Sequence, residues 1–194
     1  MPENFNYIEF TAAIFGLICV VLTAKENIWC WPTGIISVLL SAIFYYQQTL
    51  YASMYLQFVF LLLCIQGWYD WLFGGHNKTE LKISLTPKKY TWPLIIITLM
   101  MFITMGFIFD KESNDELPYI DSFLTACSLT AQWMMNKKLV ESWWLWIPVD
   151  LIYTVLHLYK HNYWFFIMYF SFVVFAGIGY RLWVQSLKKS QTRL

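Results

Sequence analysis

Long apolar runs separated by short polar connectors dominate this chain. Seven of them, at roughly Phe5–Thr23, Gly34–Tyr46, Tyr51–Phe73, Trp92–Phe109, Tyr119–Met135, Trp143–Tyr159 and Tyr163–Val184, approach or exceed what is needed to cross about 30 Å of hydrocarbon. The second and sixth reach full length only by taking in flanks such as Trp31 or Lys160. The pattern predicts an all-α integral membrane protein with seven transmembrane helices. Composition agrees, because 59% hydrophobic, 21% aromatic and only 13% charged residues exclude an ordinary soluble domain. The first run is preceded by Glu3 and has Glu9 within it rather than a basic stretch before it, so it reads as a retained helix and not a cleavable signal.

Charge changes the picture through its distribution, since the net value is only +1. With seven crossings, Lys25, Lys78, Lys82, Lys88, Lys89, Lys137, Lys138, Arg181, Lys188, Lys189 and Arg193 fall on the side of the C-terminus. Only Lys111 and Lys160 fall on the other. The positive-inside rule then predicts a cytoplasmic C-terminus, an external N-terminus and an external Asp110–Glu116 loop. These short basic flanks form no continuous stripe, so nucleic acid is not an expected partner. The expected surroundings are the lipid bilayer.

Against this apolar background Asp150 stands out, placed mid-run in Trp143–His157. An ionisable group in a membrane helix needs a partner or a wet cavity, which makes it a functional candidate. At 100° per residue, Trp143, Trp146, Asp150, Thr154 and His157 share about 60° of helix face. Two indoles beside a carboxylate suit a flat cationic heterocycle, by stacking and by charge. The competing reading makes the indoles interfacial belt residues and Asp150 a glue between helices. Two further polar stripes have the same periodicity: Ser37, Ser41, Phe44 and Gln48 in the second run, and Asp121, Thr125, Ser128 and Gln132 in the fifth. Serines there also serve as ordinary helix glue. In the third run Tyr55 and Gln66 share a face that Gln57 opposes, so only one of the two glutamines looks inward.

An internal repeat is legible in Gly67-Trp68-Tyr69-Asp70-Trp71 against Gly179-Tyr180-Arg181-Leu182-Trp183, with Tyr51 and Tyr163 opening the two runs. Upstream, Lys25 to Pro32 is set against Lys137 to Pro148, which pairs the two prolines and requires a four-residue length difference. The expected plan is three helices, one linker helix and three helices in parallel repeat. Its divisions are a first unit at 1–73, a loop and linker helix at 74–118, and a second unit with its tail at 119–194. Such repeats are a transporter plan, with substrate held between the units.

Other motifs carry less. Cys19, Cys30, Cys64 and Cys127 have no CxxC spacing and read as packing residues. His157 and His161 have metal-ligand spacing but no third ligand, so no metal site is expected. Gly74 to Thr79 lacks the glycine spacing of a phosphate loop.

Ile8-Glu9 with Gly16 and Cys19, Leu50-Tyr51-Ala52 with Leu56-Gln57, Gly67-Trp68-Tyr69 with Trp71, Lys138 with Glu141, and above all Trp143-x-x-Trp146-x-x-x-Asp150 are the residues through which the chain resembles the PnuC family of bacterial vitamin transporters. The resemblance spans nearly the whole chain. It implies a seven-helix, full-length fold related to the SWEET transporters, in the bacterial inner membrane. It implies import of an unphosphorylated vitamin by facilitated diffusion, with trapping by a cytoplasmic vitamin kinase, and it implies a homotrimer. No cofactor is expected. The family's eponymous substrate is nicotinamide riboside, and relatives carry thiamine or riboflavin. Ser37 and Asp150 depart from the Asn that nicotinamide riboside carriers tend to have at those positions, which leans the reading toward thiamine.

The vitamin is accordingly expected between the units, stacked on Trp143 or Trp146 and on Phe44, and oriented by Asp150 and Gln132. Ser37, Ser41, Ser128 and one of Gln57 and Gln66 complete the candidate site. Rocking of one unit against the other, loosened at Pro32 and Pro148, would give alternating access. Two rival readings are a sugar-type SWEET-like carrier and an intramembrane enzyme using Asp150, His157 and Glu141 as acid–base groups.

Overall fold

The computed structural model describes residues 7–112, 117–159 and 163–191. Lys160, His161 and residues 113–116, invoked above, lie outside the described residues. Seven long helices follow one another: α1 (Tyr7–Ala24), α2 (Cys30–Gln47), α3 (Tyr51–Phe73), α4 (Lys88–Glu112), α5 (Pro118–Asn136), α6 (Ser142–Tyr159) and α7 (Tyr163–Gln191). Four of them are long and apolar enough to cross a membrane, over Tyr7–Ala24, Ser53–Phe73, Lys88–Asp110 and Phe165–Lys189. The more polar α5 is buried at almost every position from Ser122 to Ala131. A helix sheathed by others needs little apolar surface of its own, which explains its serines and threonines.

The helices pack in a regular way. α1 lies on α2 and α7, α5 lies on α6 and α3, and α2 with α3 matches α6 with α7. Within the same contact set α4 packs on α5 alone, through a Thr98–Thr130 hydroxyl bond of 2.7 Å. Its other faces leave Ile95, Ile96, Met100, Ile103 and Phe107 exposed.

The turns after α1 and α5 are reproduced bond for bond at a constant separation of 112 residues. Lys25 N–H donates to Val21 and Leu22, and Lys137 N–H to Trp133 and Met134; Asn27 N–H donates to Leu22 at 2.9 Å, and Leu139 N–H to Met134 at 3.0 Å. Glu26 and Lys138, at matching positions, both adopt the left-handed conformation, with φ of 56° and 50°. That conformation closes a helix C-terminus. The same spacing aligns Trp31 with Trp143, so no length difference exists and Pro32 and Pro148 are not counterparts. Pro32 sits in the first turn of α2, where a missing N–H is harmless, whereas Pro148 interrupts the interior of α6.

The three basic connectors meet at one end of the bundle. Lys138 pairs with Glu26 at 3.5 Å and lies 4.4 Å over the Trp71 ring, while Lys137 meets Asp70 at 2.8 Å. The segment between α3 and α4 is strapped to the α5–α6 turn: Ser84 N–H donates to Lys138, Val140 N–H donates to Ser84, and Thr86 donates through both N–H and hydroxyl to the Glu141 carboxylate. Beneath these turns lies the main core, with Trp31, Trp71, Trp143 and Trp183 packed among Cys30, Cys64 and Ala176. This core plugs the basic end of the bundle.

Candidate functional site

A cavity of about 350 Å³ opens directly beyond that plug. Both halves of the chain build it, often with positions 112 residues apart. Trp31 faces Trp143 in this sense, Gly16 matches Ser128, Val20 matches Gln132, Val38 matches Asp150, and Gln57 matches Tyr169. A closely packed pair of units therefore offers similar backbone walls with different side chains on each. The only acid in the lining is Asp150, which is 6% exposed. Among the described residues no Lys or Arg is ion-paired with it.

Seven expected site residues line this cavity: Trp143, Trp146, Asp150, Gln132, Ser37, Ser128 and Gln57. Three do not. Gln66 is exposed on the outer face of α3, which decides between the two glutamines. Phe44 packs edge-on to Tyr45 at 5.5 Å, and it is Tyr45 that reaches the cavity. Ser41 is half-buried away from the lining. The tilt of α2 against α1 turns the lining face toward Gly34, Val38 and Tyr45, about one residue off the predicted stripe.

Two lining serines spend their donors inside the protein. The Ser37 hydroxyl donates to the Ala12 carbonyl of α1 at 2.8 Å, and Ser128 donates to Leu124 one turn back. Gln132 donates to Asn136, 0% exposed, whose amide in turn donates to the Leu63 carbonyl of α3 at 2.8 Å. This chain fixes the Gln132 amide and crosses between the units. Asn136→Ala, which strands both partners, should lower the melting temperature in detergent by an amount corresponding to about 1–3 kcal/mol. An unchanged melting temperature would show the network to be dispensable.

The Trp143 ring rests on Gly179: a β-carbon there would stand 2.6 Å from Cη2. Trp31 rests likewise on Gly67, at 2.1 Å. The stacking surface expected of Trp143 is thus largely taken up by the protein, whereas Trp146 is only half-buried and remains available. Beyond Asp150 the wall continues as stacked rings, with Tyr153 and Tyr169 at 4.9 Å, His157 and Tyr169 at 5.2 Å, and His157 and Phe165 at 4.9 Å. Glu141, by contrast, holds the Thr86 strap at the basic end and does not line the cavity. It is therefore not assembled with Asp150 and His157 as an acid–base set. All four cysteines are free, and among the described residues no group of His, Cys, Asp and Glu could hold a metal ion.

Trp31, Tyr153 and Tyr169 were absent from the expected site. Each was recoverable from the sequence by applying the 112-residue offset without a gap, starting from Trp143, Ser41 and Gln57.

The comparisons with known proteins agree with this architecture. Residues 6–185 match the family model described as nicotinamide mononucleotide transporter. The chain is 29% identical to the nicotinamide riboside transporter PnuC of Escherichia coli, over 98% of this chain and 90% of that protein. It is 25% identical to the riboflavin/roseoflavin transporter RibM of Streptomyces davaonensis, over 77% of this chain and 71% of that one. The crystal structure of a vitamin B3 transporter PnuC superposes with a TM-score of 0.76 at 24% identity, covering 96% of this chain and 84% of the other, and shares its fold. With that match to nearly the whole chain and these relatives, the protein belongs to the nicotinamide mononucleotide transporter family, the PnuC transporters.

Proposed function

We propose that this chain imports an unphosphorylated, cationic vitamin through the cavity between two three-helix units, 1–73 and 119–194, joined by the segment 74–118. The observation that carries this reading is a cavity between matched walls of which only one bears a carboxylate, Asp150, beside Trp146, Tyr153 and Tyr169. A heterocyclic cation meets both needs of such a place, stacking on rings and neutralising a buried charge. Thiamine and nicotinamide riboside are both cations of this kind. Asp150 favours thiamine, and relatives named for nicotinamide riboside favour the second. Riboflavin, in the name of another relative, is neutral and is the discriminating ligand.

In this reading seven helices cross the inner membrane in the SWEET-like three, one, three arrangement, with the basic end cytoplasmic. Movement is facilitated diffusion, by rocking of the units about the cavity, and phosphorylation by a cytoplasmic kinase supplies direction. The protein performs no chemistry on its cargo. The apolar outer faces of α4 suit lipid or neighbouring copies in a trimer.

Titration of tryptophan fluorescence in detergent tests the substrate class. Saturable quenching by thiamine or nicotinamide riboside, with uptake of the same compound into protein-containing liposomes without added nucleotide, is the expected outcome. Binding of none of the three vitamins, or uptake only on addition of ATP, would overturn it.

A further inference from the structure

The four tryptophans of the plug divide into two kinds. They contact one another in a chain, Trp31 to Trp71 at 5.3 Å and 90°, Trp71 to Trp183 at 6.1 Å, and Trp183 to Trp143 at 5.4 Å and 83°. The inner two spend their indole N–H groups across the boundary between units. Trp71 donates to the Met135 carbonyl and Trp183 to the Thr23 carbonyl, each at 3.1 Å. These are the same bond twice, because Trp183 follows Trp71 by 112 residues and Met135 follows Thr23 by 112. The outer two, Trp31 and Trp143, are only 3% and 2% exposed, yet neither Nε1 has an acceptor in the protein.

A buried donor without an acceptor opposes folding, and buried indoles usually find one. Here the division follows position. Trp31 and Trp143 line the cavity, whereas Trp71 and Trp183 do not. Gly67 and Gly179 seat the two outer rings at the closest approach a backbone permits, so the rings are fixed and cannot turn to find partners elsewhere.

We infer that Trp31 is a ligand-binding residue acting through its Nε1–H, the counterpart in the first unit of Trp143 in the second. The cargo must then present a hydrogen-bond acceptor, such as a hydroxyl oxygen or ring nitrogen, to each unit. One ligand bonded to both units bridges the boundary that Trp71 and Trp183 close on the basic side. Trp31 thereby becomes a determinant of which heterocycles are accepted, independent of the charge selection exerted by Asp150. The inference rests on the carrier reading above and deepens it.

Calorimetric titration of the full-length protein in detergent with thiamine and nicotinamide riboside tests it. Trp31→Phe keeps an aromatic ring on Gly67 and deletes the donor. The dissociation constant should rise about five- to tenfold, as for loss of one hydrogen bond in a dry site. A set of ligand analogues, each lacking one hydroxyl or ring nitrogen, supplies a readout that packing alone would not move: for one analogue the Trp31→Phe penalty disappears. Unsubstituted protein that binds neither vitamin overturns the carrier reading and this assignment together. Unsubstituted protein that binds while Trp31→Phe binds equally well, or loses affinity equally for every analogue, overturns this assignment alone. Should Trp31→Phe fail to fold, the 15N indole signals of the unsubstituted protein, which has eleven tryptophans, carry the test. Two of them should move downfield at saturation, and none doing so overturns the proposal.

Discussion

Replacing Asp150 with Asn should weaken binding of thiamine and nicotinamide riboside by about 30-fold or more and leave riboflavin within about threefold. The substitution keeps size and hydrogen-bonding capacity and removes only charge. Asp150 is almost fully enclosed, faces the cavity and has no cationic side chain paired with it among the described residues. In so dry a place a ligand cation is worth far more than it would be at a surface, with about 2–5 kcal/mol lost when one partner of a desolvated pair is removed. At about 1.4 kcal/mol per factor of ten, the lower end of that range already gives the predicted change. Equal losses for all three vitamins would show that Asp150 acts by shape or hydrogen bonding, and the charge argument would fail.

The second large effect is expected at two glycines outside the cavity. In Gly67→Ala the new methyl would stand 2.1 Å from Trp31 Cη2, and in Gly179→Ala 2.6 Å from Trp143 Cη2. Neither ring can move away, because each is pressed edge-on against another tryptophan of the plug. Each substitution should destabilise the protein by about 1–3 kcal/mol, the usual range for overpacking, with Gly67 the more sensitive. Ligand affinity should fall in parallel, since the displaced indoles form the floor of the cavity. Combining Gly67→Ala with Trp31→Phe should recover much of the melting temperature, because a smaller ring makes room. A double variant as unstable as Gly67→Ala alone would mean that the glycine serves some other purpose than seating the indole.

The boundaries of the helices were largely legible in advance, and the reasons are local. The run Tyr51–Phe73 was read to the residue, since Leu50 before it and the Gly74–Gly75 pair after it punctuate the apolar pattern. The start of α2 was placed four residues late, at Gly34 in place of Cys30, because Pro32 was read as a hinge before the helix when it occupies the first turn. The same proline misled the repeat alignment. Pairing Pro32 with Pro148 introduced a gap that concealed Trp31, although Gly67 with Gly179 and Tyr51 with Tyr163 already stood 112 apart.

The candidate site was legible in part. Periodicity brought Trp143, Trp146 and Asp150 to one wall, and all three line the cavity. It failed for Phe44 and Ser41 because a helical stripe states which residues share a face, while the tilt of a helix against its neighbours decides which of them reaches a given space. It was also silent on how a side chain is spent. Ser37 and Trp143 were both read as ligand contacts, yet the hydroxyl of one is committed to Ala12 and the ring of the other to Gly179.

The sequence by itself determined that this is a chain of seven apolar helices with its cations at one end and one carboxylate held within them. Those are properties of runs and counts along a line, set by the need of a backbone in lipid to satisfy its own hydrogen bonds and by the cost of burying charge. Only the tertiary structure decided that Lys138 reaches Glu26, that Trp71 and Trp183 exchange equivalent bonds across the units, and that Trp31 and Trp143 keep their donors for the cavity. Contacts between residues about a hundred positions apart depend on how helices tilt and interlock, and no local pattern carries that information.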